Sequence, residues 1–361
     1  MHCTVPLSWP FIFCCSAQVM QNTGLLCLRQ GLINKSRINF EKSLRLFRDL
    51  QDHDAHREVA IVLIDLGNAY VSDSLHEDTL YAEVIASICE FFEKEAADEQ
   101  ECGYKADRQP PTKESLSPKN RDSMGNVDAA ISCYTEALGV LENNEETQKD
   151  IVARALRKLG DCHFVQKNYS EALVFYEKAL GLFRLAGVYG KDAILENAHV
   201  LIMLGVSTFM LHVYPRAAHV FELALHMVKH AFGLTLHTFL HGLLMSLLGI
   251  TYYKMKSYHK CVSFCSQAFE TFWTVYEEKI TELPQQKFWL VCQNLYMLGN
   301  TYNILNLHNK AIKFLNIGRL FMLVSLALFL SSLAFFTVSV SQLLFLSKNC
   351  EIVSLIISLT I

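Results

Sequence analysis

The chain has 361 residues, 51% of them hydrophobic and 19% charged, with 32 Lys and Arg against 36 Asp and Glu. That apolar fraction excludes a wholly disordered chain, and a formal net charge of -4 argues against a nucleic-acid binder that relies on phosphate neutralisation. Sixteen Gly and seven Pro are too few for a collagenous or linker-dominated protein.

In chain order, residues 1–16 read as an apolar leader. No Lys or Arg precedes Arg29, so the stretch lacks the positive region that opens a secretory signal. From residue 17 a small-residue step recurs at Thr23-Gly24, Leu66-Gly67, Leu159-Gly160, Leu204-Gly205, Leu248-Gly249 and Leu298-Gly299. The intervals between these glycines are 43, 93, 45, 44 and 50 residues. An aromatic or similar residue follows three positions later at Tyr70, His163, Tyr252 and Tyr302. Twelve, sixteen and nineteen residues after the glycine come a small residue, a larger one and another small one. These are Ser36, Phe40 and Ser43 in the first copy, and Ala172, Tyr176 and Ala179 in the third. They are Ala217, Phe221 and Ala224 in the fourth, Cys261, Cys265 and Ala268 in the fifth, and Ala311, Leu315 and Gly318 in the last. Two helices can cross closely only where their side chains are small. The pattern therefore predicts pairs of antiparallel helices, A then B, repeated along the chain.

The interval of 93 shortens to 42 when the 51 residues 73–123 are set aside. The second copy then has Ala130, Tyr134 and Ala137 on its B helix, and 73–123 becomes an insertion between helices A and B. Leu80, Tyr81, Val84, Ile85, Ile88, Phe91 and Phe92 have helical spacing. Residues 98–123 are polar and read as a disordered loop. The insertion carries thirteen acids and six bases. A competing reading makes 77–97 the B helix and 127–141 the remnant of a repeat.

This register resembles the tetratricopeptide repeat family over roughly residues 17–319. The resemblance implies an all-α, right-handed superhelical solenoid of antiparallel helix pairs. Its repeats would be 17–50, 55–142 with the insertion, 150–190, 191–232, 237–283 and 287–319. Two departures stand out. The family's Pro at the end of helix B is missing from every copy, and the period is about ten residues longer than the usual 34.

Residues 320–347 hold no charge over 28 positions and are bracketed by Arg319 and Lys348, with 348–361 as a short tail. About 20 apolar residues suffice to span a bilayer. The run reads as an apolar C-terminal helix that either caps the last repeat or anchors the chain in a membrane. The composition also changes abruptly after Arg319, as it would in a truncated or mis-spliced reading frame.

The chemistry-bearing residues form no enzyme signature. There is no phosphate-binding glycine loop and no hydrolase or metalloprotease motif. The twelve cysteines contain no CxxC and look like an intracellular set, which places the chain in the cytoplasm. His226, His230, His237 and His241 form two i, i+4 pairs, but Phe232-Gly233 breaks the helix between them and no carboxylate or thiol joins the stripe. No metal and no cofactor is expected.

In the family, groove contacts come from helix A, just after the glycine and one turn before it. The resemblance therefore implies a partner-binding groove that includes Asn68, Arg157, Asp161, Tyr296 and Asn300. An amide can bond both the donor and the acceptor of a peptide backbone, and Arg157 suits an acidic side chain. The basic clamp that some members use for a terminal carboxylate is absent from matching positions. A merely solvated face is the alternative. The functional expectation is a non-enzymatic scaffold or adaptor that binds a peptide or helix of a protein partner. The rival is a tail-anchored membrane protein whose cytosolic array recruits partners.

Overall fold

The computed structural model describes residues 9–50, 55–71, 80–81, 83–88, 118–141, 148–186, 191–232, 239–276 and 285–334. Among these, all regular structure is α-helix and there is no strand. The helices are α1 (Trp9–Arg29), α2 (Ile33–Asp49), α3 (Ala55–Tyr70), α4 (described at 80–81 and 83–88), α5 (Pro118–Leu141), α6 (Lys149–Val165) and α7 (Tyr169–Ala186). There follow α8 (Lys191–Met210), α9 (Tyr214–Phe232), α10 (Phe239–Lys254), α11 (Tyr258–Tyr276), α12 (Gln285–Ile304) and α13 (His308–Ala334). The chain divides into two compact units, Met1–Leu211 and His212–Ile361.

In the first unit the helices other than α4 pack in series: α1 on α2, α2 on α3, α3 on α5, α5 on α6, α6 on α7 and α7 on α8. Weaker contacts join α1 to α3, α3 to α6 and α6 to α8. The second unit repeats the scheme from α9 to α13, with α10 also touching α12. Contact concentrated between adjacent helices and adjacent helix pairs is the signature of a stacked array.

The glycine step explains the pairing. A Cβ built on Gly24 would stand 2.6 Å from the Phe40 ring, one on Gly160 would stand 2.6 Å from Tyr176, and one on Gly67 would stand 2.5 Å from Tyr134. Gly249 faces Cys265 and Gly299 faces Leu315 in the same way. The facing residue lies sixteen positions after the glycine, or sixteen for Gly67 once 73–123 is set aside. Around each large residue the small positions are sealed: Ser36, Ser43, Ala130, Ala137, Ala172, Ala179, Cys261 and Ala268 are all fully buried. Ser36 and Ser43 come close enough to donate hydrogen bonds of 2.8 Å to the Gly24 and Ala17 carbonyls of α1.

The A-to-B turns share one geometry. Gly31, Lys167, Lys256 and Asn306 each lie seven residues after the pairing glycine and adopt φ between 57° and 72°. The N–H of each bonds the carbonyl three residues back, and the next N–H bonds the carbonyl five back, as in Asn168 to His163 at 2.9 Å and Ser257 to Tyr252 at 2.9 Å. This double closure ends the A helix. It turns the chain within a few residues, so helix B must run back along helix A.

Several boundaries differ from the sequence expectation. The apolar leader is not a separate segment, because α1 starts at Trp9 and runs through it. Residues 118–123 open α5 instead of closing a loop, with Pro118 at the first helical position, where its missing N–H costs nothing. The apolar run from Leu320 does not start a helix of its own. Its first part, to Ala334, prolongs the 27-residue helix α13, with Phe321 buried against Trp273 at 6.5 Å between ring centroids. Among the described residues the one helix long and apolar enough to cross a membrane is Ala193–Met210 in α8, and 67% of it is buried. Residues 1–8, the polar stretch 98–117, the rest of the apolar run at 335–347 and the tail 348–361 lie outside the described residues.

Candidate functional site

The A helices of the first unit carry a buried polar cluster. Arg157, Lys158 and Asp161 project from α6, and Glu196 and His199 from α8. Asp161 is fully buried, His199 is 2% exposed and Arg157 6%. The Tyr176 hydroxyl on α7 donates to Asp161 Oδ1 at 2.9 Å. His199 Nε2 lies 3.6 Å from the same oxygen, and Lys158 Nζ lies 3.9 Å from Asp161 Oδ2. Arg157 Nε reaches Glu196 Oε2 at 3.1 Å. Beyond His199, its Nδ1 shares a 3.1 Å hydrogen bond with the Tyr81 hydroxyl of α4.

Electrostatics set the state of this cluster. Burial alone would raise the Asp161 carboxyl, but His199, Arg157 and Lys158 together hold it below the ordinary carboxylate value. Burial and then the Asp161 charge push the Tyr176 phenol well up, so it remains a donor. Burial, with Arg157 alongside, lowers the Lys158 amine. Charges taken out of water are tolerated only when each meets an opposite partner, and here Arg157 faces Glu196 while Lys158 and His199 face Asp161. The cluster binds α6, α7 and α8 together.

The structure does not gather the five groove residues into one site. Arg157 and Asp161 point inward as described. Asn68 is half-buried and its Oδ1 accepts from the Tyr134 hydroxyl at 2.9 Å, the counterpart of the Tyr176–Asp161 bond one repeat later. The residue after the glycine thus anchors a B-helix phenol wherever one is present. Leu315 offers no hydroxyl, so Asn300 has no such bond to make. Asn300 is half-buried on α12, and one turn before it Tyr296 is 53% exposed. Elsewhere the same positions are sealed: Ile202 and Val206 on α8, and Ser246 and Ile250 on α10, are at most 3% exposed.

Sequence reasoning passed over Glu196, His199 and Tyr81. His199, Ile202 and Val206 follow an i, i+3, i+7 spacing on one face of α8, which was the available signal. It also passed over Phe175, Phe264 and Phe314. Each lies fifteen residues after a glycine and stacks on the aromatic three after it. His163–Phe175, Tyr252–Phe264 and Tyr302–Phe314 have centroids 5.1, 5.5 and 5.4 Å apart with nearly parallel planes. Tyr70, whose counterpart is Cys133, instead carries the Arg37 guanidinium 3.9 Å above its ring.

Of the other chemistry-bearing groups, the paired cysteines serve packing. Cys261 and Cys265 are buried with their sulfurs 4.0 Å apart, and Cys261 Sγ lies 3.3 Å from Thr301 Oγ1. His226 and His230 are exposed on α9 with rings 6.4 Å apart. Among the described residues no three His, Cys, Asp or Glu converge on a metal position. A cavity of about 250 Å³ lies between α11 and α13, walled by Phe269, Trp273 and Phe314 with Glu270 and Lys313 at its edge.

Within each unit, helix pairs closed by a glycine against a facing side chain, at Gly24, Gly67, Gly160, Gly249 and Gly299, define a helical-repeat architecture. Residues 123–184, which run from α5 into α7, match the tetratricopeptide repeat family model. Among solved structures it resembles BtubC (BKLC) from P. vanneervenii, with TM-score 0.52 and 15% identity over 80% of this chain and 91% of that one. The apo form of RapI gives TM-score 0.48 and 15% identity over 84% and 76% of the two chains. PilF from Pseudomonas aeruginosa gives 0.44 and 15% over 84% and 91%. At such identity the likeness to BtubC is one of fold alone. Comparison with curated proteins finds no match.

Proposed function

We propose that this chain is a non-enzymatic scaffold that holds a peptide or helix of a protein partner on the A-helix face of its repeats, in the cytoplasm. The observation that carries this reading is on α12. Tyr296 is 53% exposed on an A helix, one turn from Asn300, at the positions where α8 and α10 are sealed. An exposed phenol with an amide beside it offers apolar area at low entropic cost and two-way hydrogen bonding to a backbone. An exposed aromatic of this kind is a common anchor at protein interfaces.

The test places a photoreactive phenylalanine analogue in the full chain, at Tyr296 in one variant and at Glu177, on the exposed face of α7, in another. Crosslinking in cells is expected to yield a discrete protein adduct from the Tyr296 position, reduced at least tenfold by Asn300→Ala. Equal adducts from both positions, or none from Tyr296, would remove the reading.

A further inference from the structure

We propose that residues 80–88 are a ligand bound in cis: they occupy the α8 side of the first unit's A-helix surface, and the partner that competes for that place is itself an amphipathic helix bearing a phenol in its first turn. This rests on the proposed use of the A-helix face for binding. Three observations point to it. The α4 residues Leu80, Val84 and Ile88 are spaced i, i+4, i+8, and they are 0, 0 and 4% exposed, with Ile85 at 6% and Ser87 at 2%. Short isolated helices are marginal in water, and the burial of this stripe shows that it is docked. At its head Tyr81 meets His199 of α8 twice over: the hydroxyl bonds Nδ1 at 3.1 Å, and the rings lie 5.6 Å apart at 55°.

The third observation is the state of α8 itself. His199, Ile202 and Val206 form one face of that helix and are 2, 0 and 0% exposed. The matching Ser246 and Ile250 of α10 are sealed as well, so it is the Tyr81 contact with His199 that marks this face as the one α4 occupies. A helix laid on an apolar stripe with side chains at i, i+4 and i+8 is a general way for one chain to recognise another. Here the docked helix belongs to the same chain. Eight residues, 72–79, join it to α3, and 29 residues, 89–117, join it to α5. Releasing it therefore leaves the Gly67–Tyr134 pairing of α3 with α5 untouched. A tether of this length presents the segment at an effective concentration on the order of 1 mM. With an intrinsic dissociation constant of about 10 μM for the tethered segment itself, any competitor for that place is held off roughly 100-fold.

The probe is a fluorescein-labelled peptide spanning residues 77–92 of this chain, blocked at both ends and carrying Ser for Cys89, added to the full-length protein. Anisotropy titrations compare the parent chain, Tyr81→Phe, and Val84→Asp with Ile88→Asp. The parent is expected to bind the peptide about 100-fold more weakly than the doubly substituted chain, with Tyr81→Phe between them at about fivefold above the parent. Adding His199→Ala to the doubly substituted chain is expected to cost at least fivefold. Equal affinity in parent and doubly substituted chains, or no binding to a doubly substituted chain whose circular dichroism and melting are intact, overturns the proposal. Should that chain fail to fold, Tyr81→Phe decides, and affinity equal to the parent overturns it. Because the probe is this chain's own segment and the readout is on the first unit, a failure here is distinguishable from a failure of crosslinking at Tyr296.

Discussion

Glycines act here in two opposite ways, and the difference lies in what faces them. Gly160 sits where a methyl group would stand 2.6 Å from a carbon of the fully buried Tyr176, which its bond to Asp161 holds in place. Gly181, exposed on α7, has nothing within 4 Å of the same position. Alanine in an open helix gains roughly 0.5–1 kcal/mol over glycine, whereas overpacking costs about 1–3 kcal/mol. Gly181→Ala is expected to raise the denaturant midpoint and Gly160→Ala to lower it. Chemical denaturation of the two variants beside the parent checks both signs, and a rise in both would break the account of the repeat step. The step itself was legible in the sequence, because a Gly and a large residue at constant separation need no knowledge of the fold. The fate of the next residue was not. Asn68 and Asp161 are groove positions by resemblance, and only the structure shows that the hydroxyls of Tyr134 and Tyr176, on another helix, engage them.

Between elements, polar links join successive repeats in the first unit. Gln21 of α1 donates to Asp65 Oδ2 of α3 at 2.9 Å, Arg48 of α2 pairs with Glu136 of α5, and Gln166 beyond α6 donates to Asp128 of α5 at 2.8 Å. The Gln21–Asp65 link carries a cost. Burial raises the Asp65 carboxyl to about 6, only partly offset by the Gln21 bond and the Arg154 charge. Its folded value exceeds its unfolded one, so its contribution favours the fold below about pH 4 and is lost as pH rises through about 6. Asp65→Asn removes the charge, and the amide oxygen still accepts from Gln21. The variant is expected to melt higher than the parent at pH 7.5, by an amount bounded at about 3 kcal/mol for a shift of this size. At pH 4 the two are expected to melt together. Melting curves at both values check this, and a variant less stable at pH 7.5 would show that the charged form is the one the fold needs.

For the whole molecule, the open matter is how the last repeat ends. A stacked array needs a polar outer face on its terminal repeat, yet Ile312 is 58% exposed on α13 and Leu315 36%. The α8 helix passes as a membrane span by length and composition, but its burial assigns its apolarity to packing. Alkaline carbonate extraction of cells expressing the full chain, or a chain ending at Ala334, is expected to release both. A full chain kept in the membrane pellet while the shorter one is released would instead show that the apolar run 320–347 needs its part beyond Ala334 to enter a lipid phase, and make the protein a membrane-recruiting adaptor. Pelleting without membranes would mark aggregation through the exposed apolar end.

By itself the sequence determined the architecture: helical pairs, their order, the residues that cross closely, and the stretch at 73–123 that breaks the period. These are local or periodic properties, written in spacing and side-chain size, and spacing survives without coordinates. Only the tertiary structure decided which polar groups meet. The meeting of Tyr81 with His199, 118 residues away, follows from where the inserted helix docks. The burial of Arg157 beside Glu196 follows from the stacking of α6 on α8. Neither has a period, because each joins elements that the repeat leaves free to choose their partners.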